Sequence, residues 1–291
     1  MPKLTKQHLQ DYKEYLRIQN YSQSTVKSYL LGLRQFLEFR DSNSISSKIN
    51  QEQARQFILF KYDQGVKWQS INNVYSALRK YFLEVLHIEW TTKHIKRPRM
   101  EHTLPVLIDK DEVQMIIENC TMYKYQVFIT LLYSTGIRLS EALQIRFDHI
   151  DRKSKRLLVK RGKGARDRYV NLQPRVILLL IDYYNREQPR NYLFNGMIKG
   201  KKLAATSAQK AIKNAVLSAK ILKKVSSHTF RHCFATHHLE QGTNIVYIQN
   251  QMGHKNLKTT ARYIRLSKTY HRKIVHPIET MHIKYMKGRR Q

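Results

Sequence analysis

Apolar positions recur at helical spacing through the first ninety residues. Tyr29, Leu33, Phe36 and Leu37 fall at i, i+4, i+7 and i+8, the period of a buried helical stripe, with Ser22 and Ser24 ahead of them as N-cap candidates. Similar spacing recurs in Phe57-Ile58-Leu59 and in Val74, Leu78, Tyr81, Phe82 and Val85. The stretches Asp41 to Ser47 and Gly65 to Trp68 are rich in turn formers and separate these runs. Residues 5–90 are therefore predicted to form about four helices packed as a bundle.

From Lys93 to Pro105 the periodicity stops, and two prolines, Pro98 and Pro105, bracket a basic stretch that reads as an interdomain linker. From residue 106 the pattern is mixed. Helices are predicted at 110–119, 125–133, 139–146, 175–186 (Pro174 at its first turn), 206–219, 227–240 and 244–251. Between the third and fourth lie two β-prone runs, Arg156 to Lys160 and Arg168 to Leu172, around the turn Arg161-Gly162-Lys163-Gly164-Ala165, the pattern of a hairpin. The expected fold is mainly α: an N-terminal helical bundle over 1–92, a linker over 93–105, a mixed α+β domain with a small antiparallel sheet or hairpin over 106–275, and a basic tail over 276–291. No internal repeat or low-complexity segment interrupts it.

Composition narrows the partner. The 291 residues include 53 Lys or Arg against 21 Asp or Glu, a formal charge of +32, yet 42% are hydrophobic and only 10 are Gly and 6 Pro, so the chain is a folded basic protein and not a disordered polycation. Such a charge calls for a polyanion, and nucleic acid gains most from it because each phosphate neutralised releases counterions. Ribosomal and RNA-binding proteins share that charge, so it names no activity. Cys120 and Cys233 are too few for a disulfide framework and too isolated for a Cys-x-x-Cys site, which suits a reducing compartment. Met1 to Lys6 lacks the apolar core of a signal peptide, and the longest apolar run, Val176 to Ile181, is far short of the roughly 20 residues of a membrane span. A cytoplasmic, nucleoid-associated protein without membrane contact is expected.

Four clusters carry candidate chemistry, and each has a bland reading alone. In Thr135-Gly136-Ile137-Arg138-Leu139-Ser140-Glu141-Ala142-Leu143, a glycine break precedes a helix, and Arg138 could simply pair with Glu141. Lys163 sits between two glycines that let a turn approach another surface closely; the spacing of a phosphate-binding P-loop is absent, and a solvated turn lysine is the plain alternative. In His228-Thr229-Phe230-Arg231-His232-Cys233-Phe234, His228 and Arg231 share one helix face while Phe230 and Phe234 form a buried stripe. His228, His232 and Cys233 invite a metal reading, but no glutamate follows the first histidine and no second ligand pair has zinc spacing, so no metal is expected. In Met252-Gly253-His254-Lys255-Asn256, His254 follows a glycine break, and Tyr263 comes nine residues later, one of 18 tyrosines.

Taken together and in this order, the clusters resemble the active-site signature of the tyrosine recombinases, the phage-integrase and Xer-like site-specific DNA recombinases. The segment Ser22 to Leu30 with Phe36-Leu37-Glu38-Phe39 is similar to that family's N-terminal, SAM-like core-binding domain, and the later clusters to its catalytic domain. By this resemblance the first arginine falls on Arg138, the hairpin lysine on Lys163, the His-x-x-Arg pair on His228 and Arg231, the third-box histidine on His254 and the nucleophile on Tyr263. Met252 stands where leucine is common before Gly-His, and Phe230 where leucine is common before the arginine; both exchanges keep an apolar slot apolar.

The resemblance implies a cofactor-free enzyme acting on double-stranded DNA, as a tetramer of like or related chains on two sites with a Holliday junction between exchange rounds. Arg138 and Arg231 would clamp the phosphate, because guanidiniums stay ionised and bond oxygens bidentately. Tyr263 would form a 3′-phosphotyrosyl bond, Lys163 would protonate the leaving 5′-oxygen, His228 would serve as base toward the tyrosine, and His254 would donate to or position the phosphate. The alternatives are a type IB topoisomerase-like nicking-closing enzyme, a catalytically silent DNA-binding relative, and an RNA-binding protein.

Overall fold

The computed structural model describes residues 3–43, 45, 48–91, 95–97, 105–160 and 167–266, and the chain separates into two compact units between residues 103 and 104. In the first unit, helices α1 (Lys3–Ile18), α2 (Gln23–Ser42), α3 (Gln51–Asp63) and α4 (Trp68–Glu84) follow one another. Their starts are written in the sequence. The Ser22 side chain accepts the backbone N–H of Thr25, and Asn50 and Gln53 form a reciprocal capping box ahead of α3.

The stripe on α2 goes inward as its spacing requires, with Leu33, Phe36 and Leu37 buried and Tyr29 at the edge of the same cluster. Phe57 and Ile58 are buried, but Leu59 is exposed, since three consecutive helical positions span too wide an arc to share one face. Phe36, Phe57, Phe82 and Trp90 form a chain of tilted and edge-on aromatic contacts through the centre of the bundle. Residues 95–97, inside the stretch read as linker, pack on α4. Ile95 is buried, its carbonyl accepts the Tyr75 hydroxyl, and Arg97 donates to Asn72 and Ser76.

The second unit contains α5 (Lys110–Glu118), α6 (Tyr123–Thr135), α7 (Leu139–Ala142), strands β1 (Ile150–Asp151), β2 (Arg156–Val159) and β3 (Arg168–Asn171), then α8 (Pro174–Glu187), α9 (Ala205–Ser218), α10 (Ser227–Glu240), α11 (Ile245–Met252) and α12 (Leu257–Ala261). Val127, Phe128, Ile129, Leu131 and Leu132 of α6 are all buried, so this helix is apolar almost all round and forms the core against α8 and α10. The expected hairpin is part of a three-stranded antiparallel sheet in the order β1-β2-β3, with Leu157 opposite both Ile150 and Val170.

The helix expected over 139–146 is four residues long. Leu143 and Ile145 are both buried although two apart, a spacing no helix face accommodates, and the Ile145 carbonyl bonds the Leu193 N–H outside the helix. Among the described residues, no helix is long and apolar enough to cross a membrane.

Candidate active site

Gly136 closes α6 in the left-handed region, at φ 63°, and a Cβ there would lie 2.8 Å from Cγ of Phe234 on α10. The missing side chain thus lets α10 approach the loop that leads to Arg138. Helix α10 starts at a capping box between Ser226 and Thr229, and its Phe230, Cys233 and Phe234 point into the core. One residue from that apolar face, Arg231 is 4% exposed. It donates from Nη1 to the Gly136 carbonyl at 2.5 Å and from Nη2 to the Met252 carbonyl at 2.8 Å. One guanidinium therefore ties the loop before Arg138 to the end of α11, two residues ahead of His254.

Arg138 is the N-cap of α7. Its backbone N–H and its Nη1 both donate to the Glu141 carboxylate, at 2.9 and 3.0 Å. Arg168, on β3, grips the same carboxylate with two bonds of 2.9 Å and donates through Nε to the Gln251 carbonyl at 3.2 Å. The Gln251 side chain bonds both backbone groups of Asn171, so β3, α7 and α11 are laced together beneath the site. A cavity of about 400 Å³ opens between Arg138 and Glu141 on one side and the segment from Gly253 to Asn256 on the other.

Gly253 ends α11 in the left-handed region and turns the chain so that His254 faces back, its Nδ1 hydrogen-bonded to Thr260 Oγ1 at 2.9 Å. Tyr263 follows α12 and is 2% exposed, in a small cluster with Phe234, Ile248 and Met252. Its ring stacks on His254, with centroids 6.3 Å apart and planes 13° off parallel. Its hydroxyl is 2.9 Å from Nδ1 of His232.

The surroundings dictate the charge states. Burial pushes the Glu141 carboxyl upward, but hydrogen bonds from Arg168 and from the Arg138 backbone, with both guanidinium charges, outweigh it and hold the group at about 2. Burial and the neighbouring Arg138 lower Arg231 to about 10, still a cation at neutral pH. Burial and the nearby arginines, Arg231 and Arg138 foremost, depress His254 to about 4, and partial desolvation of a residue that still reaches solvent, with Arg231 and Arg138, also lowers His228. Both imidazoles are neutral at pH 7. Burial raises the Tyr263 phenol above its usual value, against the pull of Arg231, Arg262 and Arg138.

The structure thus brings together Arg138, Arg231, His254 and Tyr263, with His228 exposed on the turn of α10 before Arg231. Lys163 and the basic tail lie outside the described residues. The Tyr263 hydroxyl bonds His232, whereas His228, expected to face the tyrosine, lies with its ring 6.5 Å from that of His232. The Arg138–Glu141 pair read as the bland alternative also forms, so the same arginine is anchored by it and faces the cavity. The sequence motifs single out neither Arg168 nor Gln251. Strand alternation carried the signal for Arg168, because Val170 and Leu172 are buried and Arg168 has their parity.

Comparison with known proteins gives the family. Residues 107–269 match the model of the phage integrase family, and residues 8–92 match the phage integrase N-terminal SAM-like domain. The chain is 33% identical over 266 residues to tyrosine recombinase XerA of Pyrococcus furiosus, covering 89% of each chain. It is 32% identical over 272 residues to a tyrosine recombinase of Thermosipho africanus, covering 88% of this chain and 94% of that one. In fold it is similar to the XerH site-specific recombinase in a pre-cleavage complex with its difH substrate, with a TM-score of 0.68 at 22% identity over 82% of this chain and 76% of that one. The protein belongs to the phage integrase family of tyrosine recombinases.

Proposed function

We propose that this protein is a site-specific DNA recombinase that cuts and rejoins DNA through a covalent bond to Tyr263. The observation that carries the reading is the convergence of Tyr263, His254, Arg231 and Arg138 on one place in the second unit, the tyrosine under the influence of both arginine charges. A phosphodiester resists attack because its own charge repels a nucleophile. Arg138 and Arg231, with His228 and His254 as neutral donors, offset that charge on the non-bridging oxygens.

Tyr263 Oη then bonds phosphorus as the bond to the 5′-oxygen breaks, leaving a 3′-phosphotyrosyl linkage and a 5′-hydroxyl whose proton comes from Lys163. Religation runs the same step backwards, and the stored covalent bond removes any need for ATP. Exchange between two duplexes takes four such cleavages, which supports a tetramer on two sites with a Holliday junction midway. The charge of +32 supplies affinity for the two duplexes.

The test uses a pool of nicked duplexes with a randomised core, from which those captured covalently by the protein are recovered and amplified. The enriched duplex should form a denaturation-resistant adduct with the wild-type chain and none with Tyr263→Phe, which should still bind it. Two copies on separate plasmids should then exchange partners. An adduct in Tyr263→Phe moves the nucleophile elsewhere, and an adduct without exchange supports nicking-closing alone.

A further inference from the structure

The hydroxyl that the reaction consumes is held by a residue outside the six that the sequence signature picks out. We propose that His232 is the base for Tyr263, accepting the phenolic proton at Nδ1 as Oη bonds to phosphorus; the inference rests on the function proposed above. The geometry is direct, since Nδ1 lies 2.9 Å from Oη with ring centroids 5.6 Å apart. The competing imidazoles are placed for other work. The His254 ring lies nearly parallel to that of the tyrosine, 6.3 Å away between centroids, and its Nδ1 is engaged by Thr260, while the His228 ring is 6.5 Å from that of His232 and the residue is exposed. His232 is also the residue after Arg231 on the capped helix α10, so one rigid element presents the base and one half of the phosphate clamp.

Among the described residues, the charged and titratable groups facing His232 are His228 and Arg231 on its own helix, Arg262 at the end of α12, and Tyr263 itself. Burial, then His228, Arg262 and Arg231, hold the imidazole at about 4, so it is neutral and able to accept at physiological pH. A phosphodiester seated on Arg138 and Arg231 offsets part of that positive field and makes His232 more basic when substrate is present. In the balanced step, the Tyr263 O–H bond breaks and an Nδ1–H bond forms, while Oη–P forms and P–O5′ breaks. The 5′-oxygen takes its proton from Lys163. On religation the imidazolium returns its proton to Oη.

The experiment is single-turnover adduct formation on the enriched nicked duplex across about pH 6 to 9, where the unassisted tyrosinate fraction rises tenfold per unit. His232→Asn keeps an acceptor for the hydroxyl but has no basicity, and His232→Phe keeps the ring without the acceptor. Both should be slower than wild type by roughly 100-fold near neutrality, with the deficit shrinking about tenfold per pH unit as tyrosinate forms unaided. Fluorescence anisotropy on the same duplex identifies a variant that fails to fold.

For such a variant the wild-type profile decides. A rate level over that range supports an internal base, and one climbing tenfold per unit overturns the proposal. A deficit of equal size at every pH, or wild-type rates in both variants, also overturns it, and a pH-rescued deficit in His228→Asn instead moves the base to His228. Absence of any adduct with the wild-type chain overturns the proposed function and this inference with it, whereas an adduct lost only in Tyr263→Phe leaves the function standing whatever His232 does.

Discussion

The two units bury polar groups to different ends. In the N-terminal unit such groups fasten one segment of the bundle to another: the Tyr12 hydroxyl donates to the Ala77 carbonyl at 2.8 Å, Arg40 Nε to Gln53 Oε1 at 2.9 Å, and the Trp90 indole to the Tyr75 hydroxyl at 3.2 Å. In the C-terminal unit the groups share partners and do not balance. Arg138, Arg168 and Arg231 gather around one carboxylate, Glu141, among the described residues. A scaffold needs satisfied hydrogen bonds, and the bonds named here supply them in both units. A local surplus of cation adds nothing to a scaffold and costs desolvation, so its presence marks a place kept for an anion.

Replacing Arg231 by Lys should break this contrast most severely. An ammonium keeps the charge, but as a single compact donor group it cannot reproduce a planar fork that reaches both the Gly136 and the Met252 carbonyls. Adduct formation should fall by roughly 10²–10³-fold, the cost of losing one well-placed donor to a developing oxyanion. DNA binding, spread over many other cations, should persist in a mobility-shift assay. A rate within about threefold of wild type would mean that Arg231 is scaffold after all.

Glu141→Gln should follow, with a loss of about 3 kcal/mol in stability, because Arg168 would keep its buried charge without its bidentate partner. The wild-type carboxyl is held at about 2, below its ordinary range near 4.5. Its contribution is therefore complete above about pH 4.5 and disappears as pH falls toward 2. Thermal melts across that window should drop faster for wild type than for the variant, and parallel curves would refute the assignment.

What the sequence made legible follows the same division. The stripe Leu33, Phe36 and Leu37 and the cap at Ser22 are local patterns with one physical solution, and the bundle forms as they require. Arg138, Lys163, His228, Arg231, His254 and Tyr263 stand out only as an ordered set, since each has a bland reading alone. What remained hidden depends on contacts between segments far apart in the chain. Arg168 reaches Glu141 across 27 residues and Gln251 reaches Asn171 across 80, and no local periodicity encodes either. The resemblance puts His228, not His232, beside the tyrosine. The path of the chain after Gly253, which brings Tyr263 back against α10, sets its hydroxyl beside His232.

Gly136→Ala probes the seam between core and site. A β-carbon in the left-handed region costs about 1 kcal/mol, and displacing the Phe234 ring adds a further 1–3 kcal/mol. Because Phe234 also packs in the cluster that holds Tyr263, the variant should lose adduct rate along with several degrees of melting temperature. A loss of stability with no change in rate, compared at a temperature where both proteins are folded, would show that the tyrosine's setting does not depend on this packing.

Tyr12→Phe should have the smallest effect and sharpens the comparison from the other side. The Tyr12 hydroxyl is buried, and burial raises its ionisation far above the usual tyrosine range, so it serves only as a donor to the Ala77 carbonyl. Removing it should cost about 1 kcal/mol, read as a lower denaturation midpoint with an unchanged slope against denaturant. The rate of adduct formation from DNA-bound protein should stay at the wild-type value, because a satisfied pair inside the N-terminal bundle holds no charge that the reaction uses. A rate lowered tenfold at full DNA occupancy would instead mean that the bundle's internal bonds set the geometry of the chemistry, and the division drawn between the two units would fail.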